Sequence, residues 1–308
     1  MLQNLLIVSE QVGVLFLLMG VGFVLGRLGR IDAHTSSQMS TLLLYVVSPC
    51  VIIDSLQVEF TTALMRALLW GCVFLVGQYV ALILLSQRTF KKQPRESRSV
   101  LRFAQVYSNN VFMGLPLLQA VLGTKASVFV VPSMIMFNVF QWSHGVCLMG
   151  GRISLKRSII NPGMIGITIG MALFLARITL PGVLGDAVSF LGRMNTPMAM
   201  VIIGVQMAGA DLKSTFNNKR LYAVTAVRLL VSPLVTMGIM LPFLGRVDPD
   251  LFCALIILSA APSAGVTSIL AQQHRQDTAS AAQVVSLSTL LSLLTLPLFA
   301  VAAQALAF

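Results

Sequence analysis

Residues 107–118 read YSNNVFMGLPLL, and they interrupt the middle of an otherwise apolar run, 101–122. Pro116 has no N–H to donate, and its ring clashes with the preceding helical turn. The stretch therefore predicts a helix broken at Pro116, with Asn109, Asn110 and Gly114 beside the break. In lipid, the backbone groups freed at such a break need protein partners or water.

A second interrupted run lies later in the chain. Residues 259–268 read SAAPSAGVTS and place Pro262 in the middle of the apolar run 251–272. Ser263 and Thr267 flank this proline with hydroxyl groups. Pro116 and Pro262 are 146 positions apart (262 minus 116), so the two breaks are predicted to be counterparts.

The composition requires a membrane as solvent. Of 308 residues, 56% are hydrophobic and only 10% are charged, and the mean hydropathy is +0.88. A soluble domain carries about 25% charged residues. The net charge of +11 would suggest nucleic-acid binding in a soluble protein, but here it is interpreted as topology, and no nucleic-acid partner is expected.

Ten apolar runs are interpreted as transmembrane helices. They lie at about 4–26, 39–56, 63–86, 101–122, 127–150, 162–178, 195–210, 220–242, 251–272 and 279–305.

The basic residues orient these spans. If both termini lie outside, 15 of the 21 Lys and Arg residues fall on the cytoplasmic side, as the positive-inside rule requires. Five fall outside, and Arg228 lies within the eighth span. The localisation predicted is the plasma or inner membrane. The cytoplasmic set is Arg27, Arg30, Arg88, Lys91, Lys92, Arg95, Arg98, Arg102, Arg152, Lys156, Arg157, Lys213, Lys219, Arg220 and Arg275.

Three features recur in order in the two halves of the chain. Gly22-x-x-x-Gly26 matches Gly166-x-x-x-Gly170, Ser48-Pro49 matches Thr196-Pro197, and Pro116 matches Pro262. The chain is therefore divided into a first five-helix repeat (1–150), a short cytoplasmic connection (151–160) and a second, inverted five-helix repeat (161–308). Inverted repeats with interrupted helices are typical of secondary transporters, which bind substrate at the membrane midplane.

Two intramembrane charges are candidate functional groups, because a charge within a span is costly. Arg228 could neutralise a substrate carboxylate or pair with a backbone carbonyl. Asp54 could be an exposed carboxylate at the outer end of its span or a proton or cation site. The breaks themselves favour an anion, because each half-helix that begins there directs its partially positive N-terminus toward the midplane.

No enzyme signature is present in the sequence. There is no HExxH, Walker A or GxSxG motif, and GVGFVLG lacks the spacing of a dinucleotide loop. The four cysteines are far apart and form no metal-binding pattern. We therefore expect no catalytic residues, no cofactor and no metal site.

The motif YSNNVFMGLPLL resembles the fourth helix of the auxin efflux carrier family, which includes plant PIN-type carriers and bacterial malate or malonate permease-like proteins. NPGMIGITIGMAL, AVRLLVSPL and AAPSAGV also resemble family stretches. The resemblance implies an all-α membrane fold of ten helices in two inverted repeats, related to bile-acid:sodium symporters, with crossed fourth and ninth helices.

The resemblance also implies roles for parts of the chain. The first, second, sixth and seventh helices would form a scaffold, against which the others move as an elevator-like transport domain. Asn109 matches the family residue that contacts a substrate carboxylate, and Pro116 and Pro262 match the crossover. The plant branch implies a homodimer through the scaffold. The chain lacks the long hydrophilic loop of the plant carriers and resembles the short bacterial form, so the substrate expected is a carboxylate such as malate, malonate or an auxin-like acid, with malate favoured over auxin itself.

The leading hypothesis is a secondary carrier of a small organic anion, with Asn109, Asn110, Gly114, Pro116, Pro262, Ser263 and Arg228 as substrate-site residues. One alternative is a sodium-coupled symporter of the same fold, with oxygen ligands such as Asn110, Ser263 and Thr267. Another is a membrane sensor or assembly partner that binds its ligand without moving it.

Overall fold

The computed structural model of the chain describes residues 2–153, 160–210 and 212–308. Lys156 and Arg157, which the topology prediction uses, and residues 154–159 of the predicted connection lie outside this description. The helices are α1 (Leu2–Arg27), α2 (Ala33–Ser55), α3 (Thr62–Arg88), α4 (Arg95–Val106), α5 (Asn110–Leu122), α6 (Ala126–Leu148), α7 (Pro162–Ala176), α8 (Gly182–Ala208), α9 (Leu212–Asn217), α10 (Lys219–Phe243), α11 (Pro249–Ser259), α12 (Val266–Gln273) and α13 (Thr278–Ala307).

The fold is an all-helical membrane protein. Within the described residues, seven helices are long and apolar enough to cross a membrane, and α5, α7 and α11 are shorter apolar helices. These three lie in the predicted fourth, sixth and ninth spans. The total of ten spans in two inverted repeats therefore stays a prediction.

The seventh span differs from its prediction. The sequence places its start at 195, but the helix begins at Gly182, and its two parts, Gly182–Arg193 and Asn195–Ala208, join at Met194. The first part was not recognised as an apolar run because it contains the charged residues Asp186 and Arg193, although it packs against α2. The added turns lengthen the helix to 27 residues.

The glycine pairs of the predicted repeats are helix contacts. A Cβ on Gly22 would lie 2.1 Å from the carbonyl oxygen of Val201 in α8, and a Cβ on Gly166 would lie 2.8 Å from Cα of Pro49 in α2. Only small residues permit helix backbones to approach so closely. Thus α1 of the first half packs on α8 of the second, and α7 of the second half packs on α2 of the first.

Three prolines within helices follow widened turns. The π-helical turns Leu43–Val47, Asn110–Gly114 and Val227–Val231 each end two residues before a proline: Pro49, Pro116 and Pro233. A π turn bonds residue i to i+5, as in the bond from the Leu115 amide to the Asn110 carbonyl. These turns accommodate the prolines, because a wider turn moves the carbonyl with which the proline ring would clash; a fourth π turn, Gln141–Gly145, is followed by no proline.

This accommodation corrects the predicted position of the first break. Pro116 does not interrupt its helix, because the turn Asn110–Gly114 continues directly into the α-helical segment Leu115–Leu122. The chain leaves helical geometry earlier, at Tyr107–Asn109. Pro262, by contrast, lies within a break, between the end of α11 at Ser259 and the start of α12 at Val266.

The second break is surrounded by protein. Every residue of α11 from Leu251 to Ser259 is buried, and α11 packs against α3, α5, α6, α10 and α13. The ninth span therefore lies at the centre of the molecule, where a non-helical backbone is sheltered from lipid.

Candidate functional site

The two breaks meet each other. The amide of Asn109 donates to the carbonyl of Pro262 at 2.7 Å, and the amide of Ala264 donates to the carbonyl of Tyr107 at 3.0 Å. These bonds form an antiparallel bridge centred on Ser108 and Ser263. Four backbone groups freed by the breaks are thereby satisfied, so the non-helical segments stabilise one another.

The first break is fixed by an aromatic anchor. Tyr107 has an extended backbone and a fully buried ring, which stacks on Phe103 with centroids 4.2 Å apart. Its hydroxyl donates to the carbonyl of Phe140 at 2.8 Å and lies 3.1 Å from Nδ1 of His144. Ser108, Asn109 and Asn110 follow, and short polar side chains of this kind favour non-helical backbone.

The second break is fixed by hydroxyl groups. Oγ of Ser263 donates to the carbonyl of Ala104 in α4 at 2.9 Å, and the Ser263 amide donates to Oγ of Ser288 in α13 at 3.2 Å. Oγ1 of Thr267 donates to the carbonyl of Ala264 at 2.6 Å. The hydroxyls that the sequence singled out here therefore hold the backbone of the break.

Arg228 connects the helix ends that lead into the breaks. Its side chain has no exposed surface. Nη1 donates to the carbonyl of Val106, the last residue of α4, at 2.9 Å, and Nη2 donates to the carbonyl of Ser259, the last residue of α11. Nη2 also donates to Oγ of Ser232. Of the two partners that the sequence allowed, backbone carbonyls contact Arg228 in the structure, and a substrate carboxylate stays a prediction.

The amides of the first break lie at the N-terminus of α5. Asn109 and Asn110 are 5% and 4% exposed. Gly114 lies one turn further along, where an added Cβ would be 2.9 Å from Cδ2 of Leu258 in α11. Pro116 follows, half-buried, within α5. Asn109, Asn110, Gly114, Pro262, Ser263, Thr267 and Arg228 are therefore close to the bridge between the breaks.

Asp54 is not part of this cluster. It is exposed near the end of α2. Its carboxyl group interacts with α8, through a hydrogen bond with Ser189 and the positive charge of Arg193. The structure thus separates Asp54 from Thr267, although both are predicted as coupling-ion residues.

A small polar cavity lies behind the first break. It encloses about 10 Å³ and is lined by residues that include Gln78, Ser133, Asn110 and Ser259. Oε1 of Gln78 and Oγ of Ser133 are buried and have no hydrogen-bond partner among the described residues. A volume of about 10–15 Å³ accommodates one water molecule.

Sequence reasoning missed Asn195 and Gln78. Asn195 is 2% exposed at the second part of α8, where Nδ2 donates to the carbonyl of Val111 at 3.5 Å and Oδ1 has no partner in the part of the chain that the structure describes. It joins the α1–α8 pair to the turn after the first break. An available signal was its position directly before Thr196-Pro197. Gln78 was detectable only as an amide inside an apolar span.

The electrostatics of the site are asymmetric. Arg228 neutralises the carbonyl ends of α4 and α11, whereas α5 and α12, which begin at the breaks, have no acidic residue in their first turns. Helix N-termini carry unsatisfied N–H groups and partial positive charge. The arrangement therefore favours an anion at the breaks.

Comparison with known proteins gives two matches. A family model described as a membrane transport protein matches residues 7–153 and 151–300. The chain is also 24% identical over 302 residues to an uncharacterized transporter from Methanothermobacter thermautotrophicus, which covers 95% of this chain and 97% of that protein.

Proposed function

The chain belongs to the membrane transport protein family, the auxin efflux carrier-like family, and from that premise we propose that it is a secondary carrier of a small organic anion. Family membership indicates a multi-pass membrane transporter rather than an enzyme. The substrate class proposed is a carboxylate such as malate, malonate or an auxin-like acid. The plasma membrane, with both termini outside, is the proposed location.

The observation that carries the proposal is that, of the four helix ends at the breaks, the two carbonyl ends have a charged partner and the two N–H ends have none in their first turns. The two carbonyl ends are paired with Arg228. The two N–H ends face the breaks without an acidic side chain in their first turns, and an anion is the ligand that such N-termini favour. A carboxylate would accept hydrogen bonds from these N–H groups, and the side-chain amide of Asn109 would add a donor.

Movement would take place between two groups of helices. The tight contacts of α1 with α8 and of α7 with α2 suit a rigid scaffold, which the family resemblance also implies. We propose that the remaining helices move against it in an elevator-like step, within ten spans of two inverted repeats. A homodimer through the scaffold is proposed on the resemblance alone.

Transport by purified protein in proteoliposomes tests this function. We expect uptake or exchange of at least one acid from a panel of malate, malonate and indole-3-acetate, with and without sodium. Asn109→Ala should lower the rate by about tenfold or more, because a hydrogen bond to a charged group contributes about 1.5–3 kcal/mol.

Asn138→Ala is the matched control, because Asn138 donates to the carbonyl of Met134 within its own helix, α6. It should transport at the wild-type rate. Normal transport by both Asn109→Ala and Pro262→Ala would rule out the breaks as the anion site. Saturable binding without flux would instead support the sensor alternative.

A further inference from the structure

The carbonyl ends of two helices converge on Arg228. Its guanidinium donates to Val106 at 2.9 Å and Gln105 at 3.4 Å at the end of α4, and to Ser259 at the end of α11. In transporters with broken helices, such carbonyl ends are common ligands of a coupling sodium ion or proton. Here an arginine side chain, which stays protonated in proteins, already occupies them.

The polar cavity is part of the same hydrogen-bond network. Oγ of Ser232 accepts from Arg228 and from Nε2 of Gln78, the latter at 3.2 Å, and donates to the carbonyl of Ser259. Because the Ser232 hydroxyl proton is directed to Ser259, the Gln78 amide must present its N–H₂ group to Ser232. Its oxygen, Oε1, is therefore left without a partner at the cavity.

This cavity is unsuited to a cation. The described residues of its lining include no carboxylate, and the guanidinium is only two hydrogen bonds from Gln78 through Ser232. A second positive charge would be repelled at so short a distance. A water molecule instead could donate to Oε1 of Gln78 and bond to Oγ of Ser133, two buried oxygens of cavity-lining residues that have no partner among the described residues.

We propose that Arg228 is a built-in cation that takes the place of a coupling sodium ion at the two helix ends, and that the adjacent cavity binds a single water molecule. As a statement about coupling, this rests on the proposed carrier function. Arg228 is then a positioning residue: it neutralises the carbonyl ends, so that transport of the anion needs no sodium.

Thermal stability of the purified wild-type protein tests the assignment directly. Melting is followed in sodium chloride and in choline chloride at equal ionic strength. We expect the same Tm in both salts at every concentration. A saturable rise specific to sodium, which a bound ion would produce by mass action, would overturn the proposal.

Hydroxyl-radical labelling by X-rays tests the water site, because it modifies side chains beside bound water. Leu75 and Leu258 are buried and line the cavity. Leu251 and Leu255 are equally buried but do not line it, so they are internal controls. Labelling of the first pair several times faster than the second is expected, and equal labelling would contradict the bound water.

Arg228→Gln examines the charge itself. Removing the cation leaves the carbonyl ends uncompensated, so we expect a lower Tm that sodium partly restores, an effect absent from the wild type. Arg228→Lys retains a charge and should be insensitive to sodium. A folded Arg228→Gln protein that sodium does not stabilise would count against the replacement of an ion.

The wild-type measurements do not depend on either variant folding. They also separate this inference from the proposed function. If no acid is transported but sodium has no specific effect and the cavity leucines are labelled, the carrier proposal fails while the assignment of cation and water stands. If an acid is transported only with sodium, the carrier proposal stands and the assignment of Arg228 in place of a sodium ion fails.

Discussion

The first break, at Tyr107–Asn109, and the second, between Ser259 and Val266, face each other through one pair of backbone hydrogen bonds. The first contains no proline and is anchored by the buried ring and hydroxyl of Tyr107. The second contains Pro262 and small residues, and Ser263 and Thr267 bond its backbone. The two breaks, predicted to be counterparts, are thus stabilised by unlike chemistry.

This difference suggests that the two breaks have different roles. At the second break, the hydroxyls of Ser263 and Thr267 already donate to backbone carbonyls. At the first break, Asn109 and Asn110 place two buried amides at the start of α5. We therefore expect ligand selectivity to depend on the first break, and the geometry of the crossing to depend on the second.

The largest expected effect comes from Gly114, which lies on the first-break side. In Gly114→Val, the added side chain would meet Leu258, whose Cα is 3.3 Å from the new Cβ. Overpacking of this kind costs about 1–3 kcal/mol. The measurement is the fraction of protein that stays monodisperse in size-exclusion chromatography after heating in detergent.

Gly265→Ala is the control on the second-break side, because no atom lies within 4 Å of its added Cβ. It should be neutral or slightly stabilising. If both substitutions destabilise equally, the close approach of α5 and α11 is not what holds the breaks together.

The Tyr107 anchor should have the next largest effect. Tyr107→Phe keeps the ring but removes the hydroxyl that donates to Phe140, a loss of about 1 kcal/mol in the free energy of unfolding. Tyr45→Phe, at a side chain that is 65% exposed, is the matched control and should have no effect in the same heating assay. An unchanged Tyr107→Phe protein would show that the first break is anchored elsewhere.

Replacing the two prolines should change the stability by smaller amounts, and the two changes should differ in sign. Pro262→Ala lies in non-helical chain and should destabilise by about 0.4–1 kcal/mol, because alanine increases the conformational freedom of the unfolded state. Pro116→Ala lies within α5 and should be neutral or stabilising, since alanine restores a helical N–H. The heating assay compares the two variants. If Pro116→Ala is the less stable of the two, the first break is at Pro116 after all.

The smallest effect concerns Asp277, which follows the half-helix of the second break and has no counterpart after the first. Burial raises the pKa of its carboxyl, but hydrogen bonds from Ser280 and Ser97 outweigh this and hold the pKa below the usual 3.8. Because the folded-state pKa is lowered, the stabilisation is complete above pH 3.8 and is lost as the pH falls through the folded value.

Melting curves across this pH range check the prediction. The wild type should exceed Asp277→Asn in Tm at neutral pH, and the gap should close as the pH falls below 3.8. A gap that is constant with pH would exclude titration of Asp277 as its cause.

The sequence was sufficient for the features that depend on local composition. Apolar runs located the helices, and the glycine pairs at Gly22 and Gly166 located two tight helix contacts. Pro116 and Pro262 placed both breaks in the correct runs, although the first break lies earlier in its run than Pro116. Each of these signals arises from residues that are close in the chain.

The remainder depends on packing between distant residues. Pro116 is accommodated by a π turn, so the rule that proline breaks a helix gave the wrong position for the first break. The partners of Arg228 lie 31 and 122 residues away, and no spacing rule identifies them. Asn195 and Gln78 acquire their significance only through contacts with elements distant in sequence.

The widened turns before Pro49, Pro116 and Pro233 also affect how this chain is compared with its relatives. Each π turn holds one residue more than a regular helical turn requires, so the sequence positions that lie on a given face of the helix shift by one residue after it. A relative without the proline can dispense with the extra residue and keep its faces in phase. Correct alignments of distant relatives will therefore need single-residue gaps inside helices, at 43–47, 110–114 and 227–231, where gaps are ordinarily avoided.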